Sequence, residues 1–223
     1  MGKMIELTAS DGFKLAAYKA EPKGPSKGGL VVCQEIFGVN HHIRNVTDRF
    51  AAMGYAALAP ALFDRAERGV DIGYDAAAVE RGRNLRAAVA LDDTLKDMAA
   101  AIASLQPAGK VAVIGYCWGG SLAFLAATRA SGLACAVGYY GGMIAAHAEE
   151  KPKVPVMLHF GEKDHGIPMT DVRKVIAARP ETTVHVYPAD HGFSCDERAS
   201  FDRASHELAL QRSLAFMDKH LAG

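Results

Sequence analysis

The sequence predicts an α/β domain: a mainly parallel central sheet of about eight strands flanked by helices, in one domain over residues 1–223. Three observations predict it. Short apolar runs alternate with stretches of helical period along nearly the whole chain, as in a sheet built from strand–helix–strand units. Several runs, 30–33 and 111–114 among them, are continuously apolar, as expected of strands covered on both faces. Gly115-Tyr116-Cys117-Trp118-Gly119-Gly120 joins one such run to a small, apolar stretch at 122–130, so a buried strand should turn sharply into a helix with a cysteine at the apex.

Taken in order, residues 4–8 and 14–20 flank Ser10-Asp11-Gly12 and read as a hairpin at a sheet edge. The strand at 30–33 ends in Gln34-Glu35-Ile36-Phe37-Gly38. A helix over 42–53 follows, with Ile43, Val46, Phe50 and Met53 on one face and Gly54 closing it. Pro60 stops a strand at 55–59. Residues 61–79 are irregular, and 80–105 read as two helices meeting near Asp92-Asp93-Thr94, the second with Leu95, Met98, Ile102 and Leu105 on one face. Beyond the cysteine turn and its helix come strands at 134–140 and 154–160, a helix at 169–178 and a strand at 183–187. The last helix, 202–221, carries Leu210, Leu214, Met217 and Leu221 at i, i+4, i+7 and i+11.

Composition narrows the functional classes. Half of the residues are hydrophobic, and 25 basic residues balance 25 acidic ones, so no basic excess points to nucleic acid. The apolar runs are too short to span a bilayer, and the N-terminus has no apolar signal core, which favours a cytoplasmic location. The four cysteines, Cys33, Cys117, Cys135 and Cys195, form no Cys-x-x-Cys pair, so a zinc ribbon, dithiol redox motif or disulfide scaffold is not expected. No apolar stripe is left over once the helical faces are spent, which makes a monomer the default.

In parallel sheets, functional side chains collect at the carboxyl ends of strands. Glu35, Cys117, Asp164 and His191 each follow a predicted strand, so four reactive side chains should meet on one rim. Gly-x-Cys-x-Gly has the nucleophile-elbow spacing, and the chain order nucleophile, acid, histidine is that of α/β-hydrolases. A helix N-terminus and an imidazole favour the thiolate of Cys117, and Asp164 could fix the His191 tautomer. Trp118 would offer one oxyanion N–H and Ile36 the other. Burial beside a thiol should raise the pKa of Glu35 and suit it to accept a proton. Other readings stay open. Free cysteines are often core packing, Asp164 could cap the next helix, and Asp171 and Glu162 are rival acids.

The segments Gln34-Glu35-Ile36-Phe37-Gly38-Val39-Asn40, Gly115-Tyr116-Cys117-Trp118-Gly119-Gly120, Val137-Gly138-Tyr139-Tyr140-Gly141, Gly161-Glu162-Lys163-Asp164 and His191-Gly192-Phe193 resemble, in family order, the dienelactone hydrolases (carboxymethylenebutenolidases) of the α/β-hydrolase superfamily. The resemblance implies a Cys117–His191–Asp164 triad, with Glu35 holding the resting thiol and taking its proton when substrate displaces it. It implies hydrolysis of an unsaturated lactone, dienelactone to maleylacetate, in aromatic degradation, with neither metal nor organic cofactor. Family members bind the substrate carboxylate with arginines. The candidates here are Arg198 after the histidine and Arg81 or Arg83 before the elbow, each of which could equally be a solvated charge. Phe37 and Tyr140, inside matching segments, complete the candidate substrate contacts. Two rival functions remain at this level: an esterase or thioesterase with another substrate, and a non-hydrolytic thiol sensor or binding protein on the same fold.

Overall fold

The computed structural model describes residues 1–222. Eight strands form one sheet in the order β1-β2-β4-β3-β5-β6-β7-β8. The strands are β1 (Lys3–Thr8), β2 (Lys14–Ala20), β3 (Gly29–Cys33), β4 (Ala56–Pro60), β5 (Val111–Tyr116), β6 (Leu133–Tyr139), β7 (Val156–Gly161) and β8 (Thr183–Tyr187). β1 pairs antiparallel with β2 and β2 antiparallel with β4, whereas every pairing from β4 through β8 is parallel. The helices are α1 (His41–Ala52), α2 (Ala76–Ala88), α3 (Leu91–Leu105), α4 (Trp118–Arg129), α5 (Met169–Ala178) and α6 (Arg203–Leu221). The expected sheet and hairpin are present, with strand ends within two residues of the sequence reading.

Burial explains the strand pattern. Every residue of β3, β4, β5 and β7 is buried, because helices cover both faces of the sheet. One apolar cluster lies on the side of α1 and α6 and includes Ile43, Phe50, Ile114, Phe124 and Met217. A second lies on the side of α3 and includes Leu58, Met98, Ile102, Val113 and Trp118. α4, at the centre, has only Arg129 outside its buried residues, which is why its sequence shows no amphipathic period.

Two helix readings are corrected. The break between α2 and α3 falls at Val89–Ala90, not at Asp92-Asp93-Thr94. Asp92 and Asp93 instead occupy the first turn of α3, where a carboxylate complements the helix dipole. In α6 the buried stripe is Ser205, Ala209, Ser213, Met217 and Leu221, so Leu210 and Leu214 lie at its margin. The small residues admit a buried network: Ser213 Oγ lies 2.7 Å from Tyr139 Oη and 3.0 Å from His159 Nε2. Burial pulls the pKa of His159 well down, so this imidazole is a neutral core group.

Candidate active site

The elbow is built by close approach of backbones. A Cβ on Gly115 would meet Gly119 O at 2.0 Å, and one on Gly119 would meet Cys33 O at 2.4 Å. Glycine at both positions lets α4 start directly against β3. Cys117 sits between them at φ 55°, ψ −116°, a conformation that costs a non-glycine residue on the order of 1–3 kcal/mol. Its N–H donates to Tyr139 O at 3.0 Å, which anchors the strained turn to β6. Cys117 is half-buried, whereas Cys33, Cys135 and Cys195 are buried.

Asp164 and His191 follow β7 and β8, the second and third strands along from β5 on that side. Asp164, buried in the turn after β7, accepts from Gly166 N–H at 2.8 Å and Ile167 N–H at 3.1 Å through Oδ1. These bonds leave Oδ2 to accept from His191 Nδ1–H at 2.7 Å, since a carboxylate at a ring nitrogen can only be the acceptor. Burial pulls the His191 pKa down, but the Asp164 hydrogen bond and the adjacent Cys117 sulfur outweigh it and lift it to about 10. Asp164 and the sulfur thus favour the imidazolium form of His191. Asp171, in the first turn of α5, and the exposed Glu162 take no part in this dyad.

Cys117 and His191 open into a cavity of about 360 Å³, the size of a small-molecule site. Ile36 and Trp118 line it beside the sulfur. Trp118 is the first residue of α4, so its N–H has no acceptor within the helix and is available for an anion. Both residues of the expected oxyanion donor set thus line the cavity.

The arginine expectations divide. Arg198 lines the cavity, its guanidinium packed 5.9 Å from the ring centres of both Phe37 and Tyr74. Phe37 lines it too, whereas Tyr140 is fully buried behind His191, with ring centres 5.0 Å apart. Arg81 is corrected: it turns away from the cavity and pairs with Glu67 at 2.5 Å. Helical phase is the reason. The α2 face on the cavity is Val79, Arg83 and Arg86, spaced i, i+4 and i+7, and position 81 lies roughly 200° from 79. Arg86 was not anticipated, though the i, i+4, i+7 spacing from Val79 carries the signal.

Glu35 is fully buried at the end of β3, its carbonyl oxygen accepting from Gln34 Nε2 at 3.3 Å. Its partner is Arg198, Nη1 donating to Oε1 at 3.4 Å; no hydrogen bond joins it to Cys117. Among the described residues, Glu35, His42 and Cys195 are the one set of three donor side chains with ligating atoms within 4.8 Å of one another. They suit a cation poorly, because burial pushes the Cys195 thiol up to about 12 and the Arg198 guanidinium already occupies Glu35. No helix among the described residues is long and apolar enough to cross a membrane.

This geometry has known counterparts. The dienelactone hydrolase family model matches residues 15–221. A Synechocystis sp. protein provisionally named a carboxymethylenebutenolidase is 36% identical over 90% of this chain and 89% of its own length. The carboxymethylenebutenolidase of Pseudomonas putida is 33% identical over 96% of this chain and 94% of its own. A crystal structure of a provisionally named dienelactone hydrolase from Klebsiella pneumoniae superposes with a TM-score of 0.82 at 30% identity, covering 96% of this chain and 98% of that one. The chain belongs to the dienelactone hydrolase family of α/β-hydrolases and is a carboxylic-ester hydrolase.

Proposed function

We propose that the protein opens a small, carboxylate-bearing lactone by acyl transfer to Cys117, with dienelactone, converted to maleylacetate, as the favoured substrate. The observation that carries this reading is one cavity holding a strained half-buried thiol, an Asp164-paired imidazolium and three guanidinium groups, Arg83, Arg86 and Arg198. Among the described residues neither Arg83 nor Arg86 has a carboxylate partner, so a substrate anion has cations to meet.

The steps follow from the charges. A substrate carboxylate competes with Glu35 for Arg198, and the released Glu35 carboxylate takes the Cys117 proton. The thiolate, facing the His191 imidazolium, attacks the lactone carbonyl, and the oxyanion lies between Ile36 N–H and Trp118 N–H. His191 then protonates the leaving ring oxygen. Now neutral, it removes a proton from the water that cleaves the thioester, while Asp164 holds its tautomer. The thiolate leaves and recovers its proton from Glu35.

The test is turnover of cis- and trans-dienelactone beside uncharged aryl esters, for the wild type and Cys117→Ala. The proposal expects faster turnover of the lactones and no turnover by the variant. Aryl-ester turnover without lactone turnover would retain the hydrolase and discard the substrate. Wild-type rates in Cys117→Ala would discard the nucleophile. Glu35→Gln should fold and slow thiol ionisation, and an unchanged rate would remove Glu35 from the sequence of steps.

A further inference from the structure

Beneath the cavity, the buried polar atoms without partners include Glu35 Oε2, His42 Nε2 and, behind His191, the Tyr140 hydroxyl. His42, on α1, is only 1% exposed, and its ring lies within 4.8 Å of the Glu35 carboxylate and of Cys195. Its other nitrogen, Nδ1, lies 3.1 Å from Asp196 Oδ1, and a carboxylate there requires the proton on Nδ1. With the proton on Nδ1 alone, His42 Nε2 is an acceptor, and so is the buried Glu35 carboxylate beside the ring. Glu35 Oε2 and His42 Nε2 have both given up water without a hydrogen bond in return. One added proton turns two opposed acceptors into a donor–acceptor pair.

The charges around the pair say where such a proton comes from. Arg198 pairs with Glu35, and Arg49 donates to Asp196 Oδ2 at 2.6 Å, so two cations balance two anions. The remaining groups turned toward this region are the high-pKa thiol of Cys195, the phenols of Tyr74, Tyr116 and Tyr140, all raised by burial, and His206 on α6, whose pKa burial lowers. At the surface, His41 and Glu197 pair with each other at 2.6 Å. When the Cys117 thiol ionises, the cavity gains one negative charge, and a proton retained beneath it restores the balance.

We propose that Glu35 and His42 form a proton-sharing couple beneath Cys117, so that the proton leaving the thiol comes to rest on His42 Nε2 with Asp196 as counter-charge. The S–H bond breaks with its electron pair left on sulfur. An O–H bond forms at Glu35 and passes to an N–H bond at His42, which regenerates the carboxylate. Nothing is oxidised or reduced, and the proton returns by the same route. The couple rests on the reading of Glu35 as proton acceptor, and it makes His42 a positioning residue for that proton.

The test reads the proton without substrate. Alkylation by iodoacetamide reports Cys117, because the other three cysteines are buried. In His42→Gln the pH midpoint of alkylation should rise by about one unit, with about tenfold slower alkylation at neutral pH; a merely structural role lowers the rate at every pH and leaves the midpoint in place. Nitrogen-15 imidazole spectra of the unaltered protein supply a second measurement should the variant fail to fold. His42 Nε2 should carry a proton when Cys117 is ionised and lose it in Cys117→Ser, whose hydroxyl does not ionise. An unmoved midpoint, or an Nε2 that is bare at every pH where Cys117 is ionised, overturns the couple. Lack of turnover on every lactone and ester, with the midpoint shift and the Nε2 signal intact, would discard the proposed reaction and leave the couple standing.

Discussion

The two walls of the cavity are held by different means. On one, Cys117, Asp164 and His191 follow strands β5, β7 and β8, and the first two of these strands are buried at every residue. Asp164 is committed at both oxygens, and Cys117 is pinned through its N–H. On the other wall, α2 buries only Gly82 and Leu85 and turns exposed arginines to the cavity. Acyl transfer tolerates little displacement of its reacting groups, so those stand on the sheet. Recognition of an anion tolerates more, because a guanidinium on a long flexible stem finds its partner over several positions. On the proposed function, the reaction is thus fixed by the fold, and the substrate by one lightly packed helix.

The largest effects should come from the rigid wall. Cys117→Ala removes the proposed nucleophile, and ester turnover should fall on the order of 10⁴–10⁶-fold, with no acyl-enzyme in the mass spectrum. Asp164→Asn should lower kcat on the order of 10²–10⁴-fold. It should also move the pH profile. The folded-state pKa of His191 is raised, to about 10, so the imidazolium persists below that pH and is lost above it. Turnover should decline as pH rises through about 10, and the decline should begin at lower pH in Asp164→Asn, since a raising partner is gone. An alkaline limb unmoved by that substitution would separate the dyad from the proton donor.

Gly82 joins the two walls and gives the intermediate effect. A Cβ there would lie 2.1 Å from Ile36 O, so α2 rests directly on the loop that carries the proposed oxyanion donor. Gly82→Ala must push the helix or the loop aside. A displacement near 1 Å at that loop can cost on the order of 10²-fold in kcat. KM for a carboxylated substrate should rise with it, because Arg83 and Arg86 move on the same helix. A rise in KM alone would mean that the helix yields and the loop does not.

The contrast between walls also decides what was legible in the sequence. Continuous apolar runs announce buried strands, and residues directly after a strand end have little freedom in where they go. Glu35, Cys117, Asp164 and His191 could therefore be brought to one rim from their spacing alone. Side chains on α2 depend on helical phase, and the irregular stretch at 61–79 hides where that helix begins. It starts at Ala76, capped by Asp75, whose carboxylate accepts from Ala78 N–H at 2.8 Å. With the start misplaced, Arg81 looked as eligible as Arg83, and Arg86 went unnoticed. The ion pair between Glu35 and Arg198, and the position of His42 under Glu35, join segments more than 150 residues apart or on different layers, and no local pattern encodes either.

The smallest effects should test the α2 face itself. Arg83→Ala and Arg86→Ala should each raise KM for dienelactone by about tenfold, the scale of one partly solvated charge contact, with kcat and aryl-ester kinetics little changed. Arg81→Ala is the internal control two residues away. Its guanidinium is committed to Glu67 on the solvent side, and an exposed pair of that kind contributes at most about 1 kcal/mol to stability. Lactone kinetics should stay at wild-type values in that variant. If Arg81→Ala raises KM while Arg83→Ala does not, α2 is rotated in the substrate complex, and the recognition wall is selected by the ligand, not preset by the fold.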